Sequence, residues 1–122
     1  MTNRTRGLFD IKVDDTTYKL QFTTNAMAEL EDAANKGFPE FLGHLEKSTE
    51  NGTLRVGDVR LLFWAGLKEH QPDITVVKAG QIVQDIGGVE AAMEKLGEAI
   101  TAAMPEAKAG DADSEGKPEA AA

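Results

Sequence analysis

Residues 11–38, IKVDDTTYKLQFTTNAMAELEDAANKGF, carry the pattern that decides the fold. Phe9, Ile11 and Val13 alternate with Asp10 and Lys12, which is the period of a half-buried strand. Asp14-Asp15-Thr16 supplies turn chemistry, because short polar side chains bond the backbone amides beside them. Tyr18, Leu20 and Phe22 then alternate with Thr17, Lys19 and Gln21. Two strands with one apolar face each make a hairpin. A hairpin alone is marginal in water, so its apolar face must pack on something else. That partner begins at once. Thr23 or Thr24 can cap a helix whose apolar face carries Met27, Leu30 and Ala34, and Gly37 reads as the residue just past its end.

Downstream the period changes from 2 to 3.6. Pro39 suits the first turn of a second helix with Phe38, Phe41, Leu42 and Leu45 on one face. Ser48-Thr49-Glu50-Asn51-Gly52 reads as an interhelical turn. Asp58 is a plausible cap for a third helix, where Val59, Leu62, Phe63, Gly66 and Leu67 recur at helical spacing with Trp64 at the margin. This most apolar element is expected at the centre of the core, with Leu62 and Phe63 as core residues, and Pro72 lies beyond its end. A fourth helix starts near Thr75, carries Val76, Ala79, Ile82, Val83 and Ile86, and stops at Gly87-Gly88. A fifth runs from Val89 towards Met104 with Ala92, Met93, Leu96 and Ile100 on one face, and Pro105 marks its end.

The reading is an α+β fold: an N-terminal β-hairpin packed on a predominantly helical body of four to five short helices. Residues 1–8 form a flexible N-terminal arm, 9–104 a single globular domain, and 105–122 a disordered acidic tail rich in Ala and Gly. The tail has no large apolar side chain to offset its ordering entropy, so folding should not depend on it.

Composition narrows the function. The formal charge is −8, from 21 acidic and 13 basic side chains, so phosphate backbones and anionic lipid headgroups repel the chain. Neither nucleic acid nor a membrane is expected as a partner, although Arg4 and Arg6 are locally basic. Cysteine is absent, which removes disulfides and thiolate metal sites and fits a reducing cytoplasm. The start MTNRTRGLFDIKV lacks an apolar segment of signal-peptide length.

No catalytic constellation emerges. His44 and His70, the 2 histidines, have no second ligand at metal-motif spacing, and Glu40 four residues before His44 reads as a surface neighbour. Asp10, Asp14 and Asp15 lack the spacing and bidentate glutamate of an EF-hand. Gly87-Gly88 lacks the Lys-Ser/Thr of a phosphate loop, and serine occurs only at Ser48 and Ser114. Neither enzymatic activity nor a cofactor is expected, and function is sought in surfaces. The apolar stripe of the fifth helix has two readings: it closes the core, or part of it lines an adaptable groove for a helical partner. On the second reading the partner-binding residues are Met93, Leu96, Ile100 and Met104, with Phe41 as a neighbour.

Several short strings resemble a known family. Tyr18-x-Leu20-x-x-Thr23, then Ala26-Met27-Ala28-Glu29-Leu30-Glu31 and Gly37, look like the opening of phage tail assembly chaperones of the gene transfer agent type. Leu54-x-x-x-Asp58-Val59, Leu62 and Trp64-Ala65-Gly66-Leu67 resemble the family's next landmark. The resemblance spans residues 9–104, with Phe22 where the family has proline and Thr24 where it has an aromatic residue. It implies a non-enzymatic morphogenesis factor that binds the helical tape-measure protein in the host cytoplasm. Such a factor keeps that protein soluble until tail-tube subunits polymerise around it, and is absent from the mature particle. The implied partners are the tape-measure protein, the tail-tube protein and a second copy of the chain. The rival readings are a structural virion tail or head–tail connector component, and a small helix-binding adaptor.

Overall fold

The computed structural model describes residues 7–104; residues 1–6 of the arm and the acidic tail at 105–122 lie outside the described residues. Two strands, β1 (Phe9–Val13) and β2 (Thr16–Leu20), are followed by five helices: α1 (Thr24–Ala34), α2 (Phe38–Asn51), α3 (Val56–Lys68), α4 (Val76–Asp85) and α5 (Val89–Ala103). The expected α+β architecture, a hairpin followed by a helical body, is what the chain adopts.

The hairpin is antiparallel, with Phe9 opposite Leu20, Ile11 opposite Tyr18 and Val13 opposite Thr16. Asp14 makes the turn possible by taking a left-handed φ of 55°, which a short polar side chain tolerates. Ile11 and Leu20 are buried from its inner face. That face lands on α3 at Gly66, whose carbonyl accepts the Gln21 amide proton at 2.9 Å. The approach depends on the missing side chain: a Cβ at Gly66 would stand 2.7 Å from Leu20 Cδ1 and 2.8 Å from Phe22 Cζ.

Helix α3 is the core element, as its apolar run predicts. Val59, Leu62, Phe63, Ala65 and Leu67 are all buried, and the helix meets β2, α1, α4 and α5. Burying each such large side chain is worth about 1.5–3 kcal/mol before entropy is charged against it. Trp64 sits at the edge, its indole Nε1–H donating to the Ile74 carbonyl at 3.1 Å and so closing the corner into α4.

Four boundary details differ from the sequence reading. Helix α1 ends before Gly37: Asn35 takes the left-handed cap at φ 59° and donates to Glu31 O, while Gly37, at φ −63°, precedes α2 as its N-cap. The Glu31 carboxylate reaches across the corner and accepts the Phe38 amide proton at 2.7 Å, which couples the two helices. The expected turn at Ser48 to Asn51 is helical. The Ser48 and Thr49 hydroxyls donate to Leu45 O at 3.0 and 2.8 Å, so these residues satisfy themselves inside the helix, and Gly52 ends it at φ 73°. Arg55, not Asp58, occupies the N-cap of α3; Asp58 lies in its first turn, where the helix dipole favours a carboxylate. The α1 phase is turned by one residue, so that Ala26 and Leu30 are buried while Met27 is only partly covered. Of the two caps open to α1, Thr23 is the one used, its Oγ1 accepting from the Ala26 amide at 3.1 Å.

Candidate partner-binding surface

Helix α5 shows how a surface is made from an amphipathic repeat. Ala92, Leu96 and Ala99 are the buried row. Two of these are alanines, so the helix backbone lies close against the core. Met93, Ile100, Ala103 and Met104 flank that row and are partly buried against it. On the next row outward, Met93, Gly97 and Thr101 line an open trough of about 600 Å³ together with Glu94, Glu98, Ala102 and Phe9 from the hairpin. Gly97 leaves the middle of the trough open, because nothing stands within 4 Å of where its Cβ would be. At one end Gly7 runs close to the helix, its notional Cβ 3.3 Å from Ala102 Cβ. The wall is mostly apolar, with the two glutamates at 94 and 98 along it.

The residues singled out from sequence fall in three places. Met93 lines the trough. Leu96 and Phe41 are buried in the core, each 2% exposed. Ile100 and Met104 are partly buried and pack against the core cluster. The structure therefore does not bring the five together on one face. The trough residues that the sequence reading passed over are Phe9, Glu94, Gly97, Glu98, Thr101 and Ala102. For those on α5 the signal is the row Met93, Gly97, Thr101 at i, i+4, i+8, one step round from the buried alanines; Phe9, on β1, has none.

The polar groups elsewhere act structurally. His44 Nε2 lies 3.4 Å from Asp58 Oδ2 and links α2 to α3. His70 Nε2 is 2.7 Å from Gln21 Oε1. Lys19 Nζ donates to Asp10 Oδ1 at 2.7 Å, and this hydrogen bond holds the Asp10 carboxyl below its usual range, with the charges of Lys19 and Lys12 acting the same way. Among the described residues no group of three or more His, Asp or Glu side chains could hold a metal ion. No helix among them is long and apolar enough to cross a membrane.

Fold and surface together define a small α+β domain, a helical body carrying one hairpin, with an apolar trough between them. The chain belongs to the family described as phage tail tube protein, GTA-gp10, whose model matches residues 6–109. It is thus a phage or gene-transfer-agent tail protein, as the short strings around Thr23 and Gly66 implied. The family description names the tail tube rather than a chaperone. No curated protein and no solved structure matches the chain.

Proposed function

We propose that the protein is a non-enzymatic structural component of a phage-type tail that works by contact with tail-tube subunits. The family match over residues 6–109 is the observation that carries this reading. The α5 trough is its contact surface: apolar, open, and built on a helix held rigidly against the core. The acidic rim of Glu94 and Glu98 favours a partner segment with basic residues beside its apolar ones.

A second reading makes the protein a tail assembly chaperone, which holds the tape-measure protein in the cytoplasm and leaves before the particle is finished. Two observations favour it. Among the described residues the hairpin is a two-stranded sheet beside five helices, which is little sheet from which to close a tube wall. The trough also has the form that accepts an amphipathic helix of loose sequence.

One experiment separates the two. Tails purified from producing cells are quantified for this chain by mass spectrometry against the tail-tube subunit. A fixed stoichiometric ratio supports the structural role. Absence from finished tails, with the tape-measure protein insoluble in cells lacking this chain, overturns it in favour of the chaperone. In both cases Gly97→Leu should block assembly, because it fills the trough without touching the core.

A further inference from the structure

The two edges of the hairpin are treated differently. On β2 the outward backbone groups are closed: Gln71 Oε1 accepts from the Lys19 amide at 2.7 Å, and Gln71 Nε2 donates to the Lys19 carbonyl at 2.9 Å. Gln21 N–H is closed by Gly66 O at 2.9 Å. These bonds also fix the phase of the ladder. Lys19 points its amide and carbonyl away from β1, so its cross-strand partner Asp10 points its own away from β2, and so, two residues on, does Lys12. Among the described residues no backbone bond meets Asp10 or Lys12 along this second edge. Both residues are exposed. A trough of about 510 Å³ runs beside them, walled by Asp85 and Ile86 from the end of α4 and by Lys95 of α5. A free strand edge is a template for another strand.

The sequence of that edge specifies which strand. β1 reads FDIKV, with its charges placed symmetrically about Ile11. We infer that β1 pairs antiparallel with β1 of a second copy of this chain, with Ile11 on the two-fold axis. In that register Asp10 stands opposite Lys12 of the partner strand, and Lys12 opposite Asp10, so both cross-strand charge pairs are attractive. The same register makes these two positions the hydrogen-bonded pairs, so all four outward amide and carbonyl groups of each edge find partners. Phe9 then meets Val13 at each end, and both are only partly buried in the single chain. A lysine on an edge ordinarily discourages pairing. Here the strand carries its own complement, and only in this register: a shift by two residues in one direction sets Asp10 against Asp10, and in the other sets Lys12 against Lys12 and Asp10 against Asp14, all repulsive. The result is a four-stranded sheet across two copies. This pairing does not depend on the tail-tube or the chaperone reading, since it uses the edge of β1 and not the α5 trough.

Charge reversal tests it in the full chain. Sedimentation equilibrium across a concentration series, at about 0.15 M ionic strength to screen the net negative charge of each copy, gives the dimer Kd. Asp10→Lys alone, or Lys12→Asp alone, turns both cross-strand pairs repulsive and should raise Kd about tenfold or more. The double variant Asp10→Lys with Lys12→Asp restores two attractive pairs between the copies and should bring Kd back from the Asp10→Lys value towards the parent's, the loss of the Asp10–Lys19 pair within each hairpin being common to both variants. Lys12→Pro removes an outward N–H that β2 does not use, so the hairpin stays folded by circular dichroism while dimerisation is lost. Amide exchange at Asp10 and Lys12 should slow with rising protein concentration. A chain that stays monomeric into the millimolar range overturns the inference. So does a dimer whose Kd ignores the single reversals and Lys12→Pro.

Discussion

Replacing Gly66 by alanine puts a methyl group where the hairpin sits on α3. The new Cβ would lie 2.7 Å from Leu20 Cδ1, 2.8 Å from Phe22 Cζ and 3.0 Å from Phe22 Cε2. Side-chain tips can often swing away, but Leu20 is 0% and Phe22 3% exposed, so neither has space to move into. Overpacking of this kind costs about 1–3 kcal/mol, and three simultaneous contacts place it at the upper end. Alanine returns up to about 1 kcal/mol through helix propensity. The net expectation is a loss of about 2 kcal/mol, or a melting temperature lower by roughly 8–16 °C for a domain of this size. Gly43→Ala is the matched control. It is also inside a helix, nothing lies within 4 Å of its notional Cβ, and the propensity gain should appear undiminished as a rise of a few degrees. Both are read by thermal melts followed by far-UV circular dichroism. If Gly66→Ala melted at or above the parent temperature, the hairpin would not be seated on α3 with Leu20 and Phe22 packed over Gly66.

Phe63→Ala, at the fully buried centre of α3, should cost about 3–5 kcal/mol, seen as a lower urea midpoint with little change in slope. Thr23→Ala removes the cap of α1 and the hydroxyl that donates to Glu69 at 2.8 Å, and should cost about 1 kcal/mol in the same assay. Asp10 has a lowered pKa in the folded chain, because Lys19 bonds its charged form. The unfolded state therefore binds the proton first as pH falls, so the Asp10–Lys19 contribution is present above the unfolded value and lost on falling through the folded one. The melting difference between the parent and Asp10→Asn should accordingly be small at neutral pH, where the pair is exposed, and vanish in acid.

The elements that dominate the fold were legible because each carries its own period. The alternation from Phe9 to Leu20 gave the hairpin, and the run around Leu62 and Phe63 gave the central helix. Boundaries were less legible where a side chain from another element decides them. Glu31 takes over the start of α2, and nothing local to Gly37 announces that. Ser48 and Thr49 look like turn formers until Leu45 O is within reach of their hydroxyls. The candidate site was legible only in part for a different reason. In the sequence the α5 stripe reads as one face, but close packing on alanine draws Leu96 fully inward and leaves Met93 at the rim. The trough itself needs Phe9, nearly ninety residues away in sequence, which no helical periodicity could supply.

The central claim is that this chain acts in tail building through the α5 trough. It is tested most directly by isothermal titration of the full-length chain with the tail-tube subunit produced alongside it, comparing the parent with Gly97→Leu. The trough account predicts measurable binding by the parent. It predicts at least a tenfold weaker Kd for a variant that melts no lower, since the added side chain enters open space and leucine favours the helix. Equal affinity for parent and variant, or no binding by the parent at all, would contradict it.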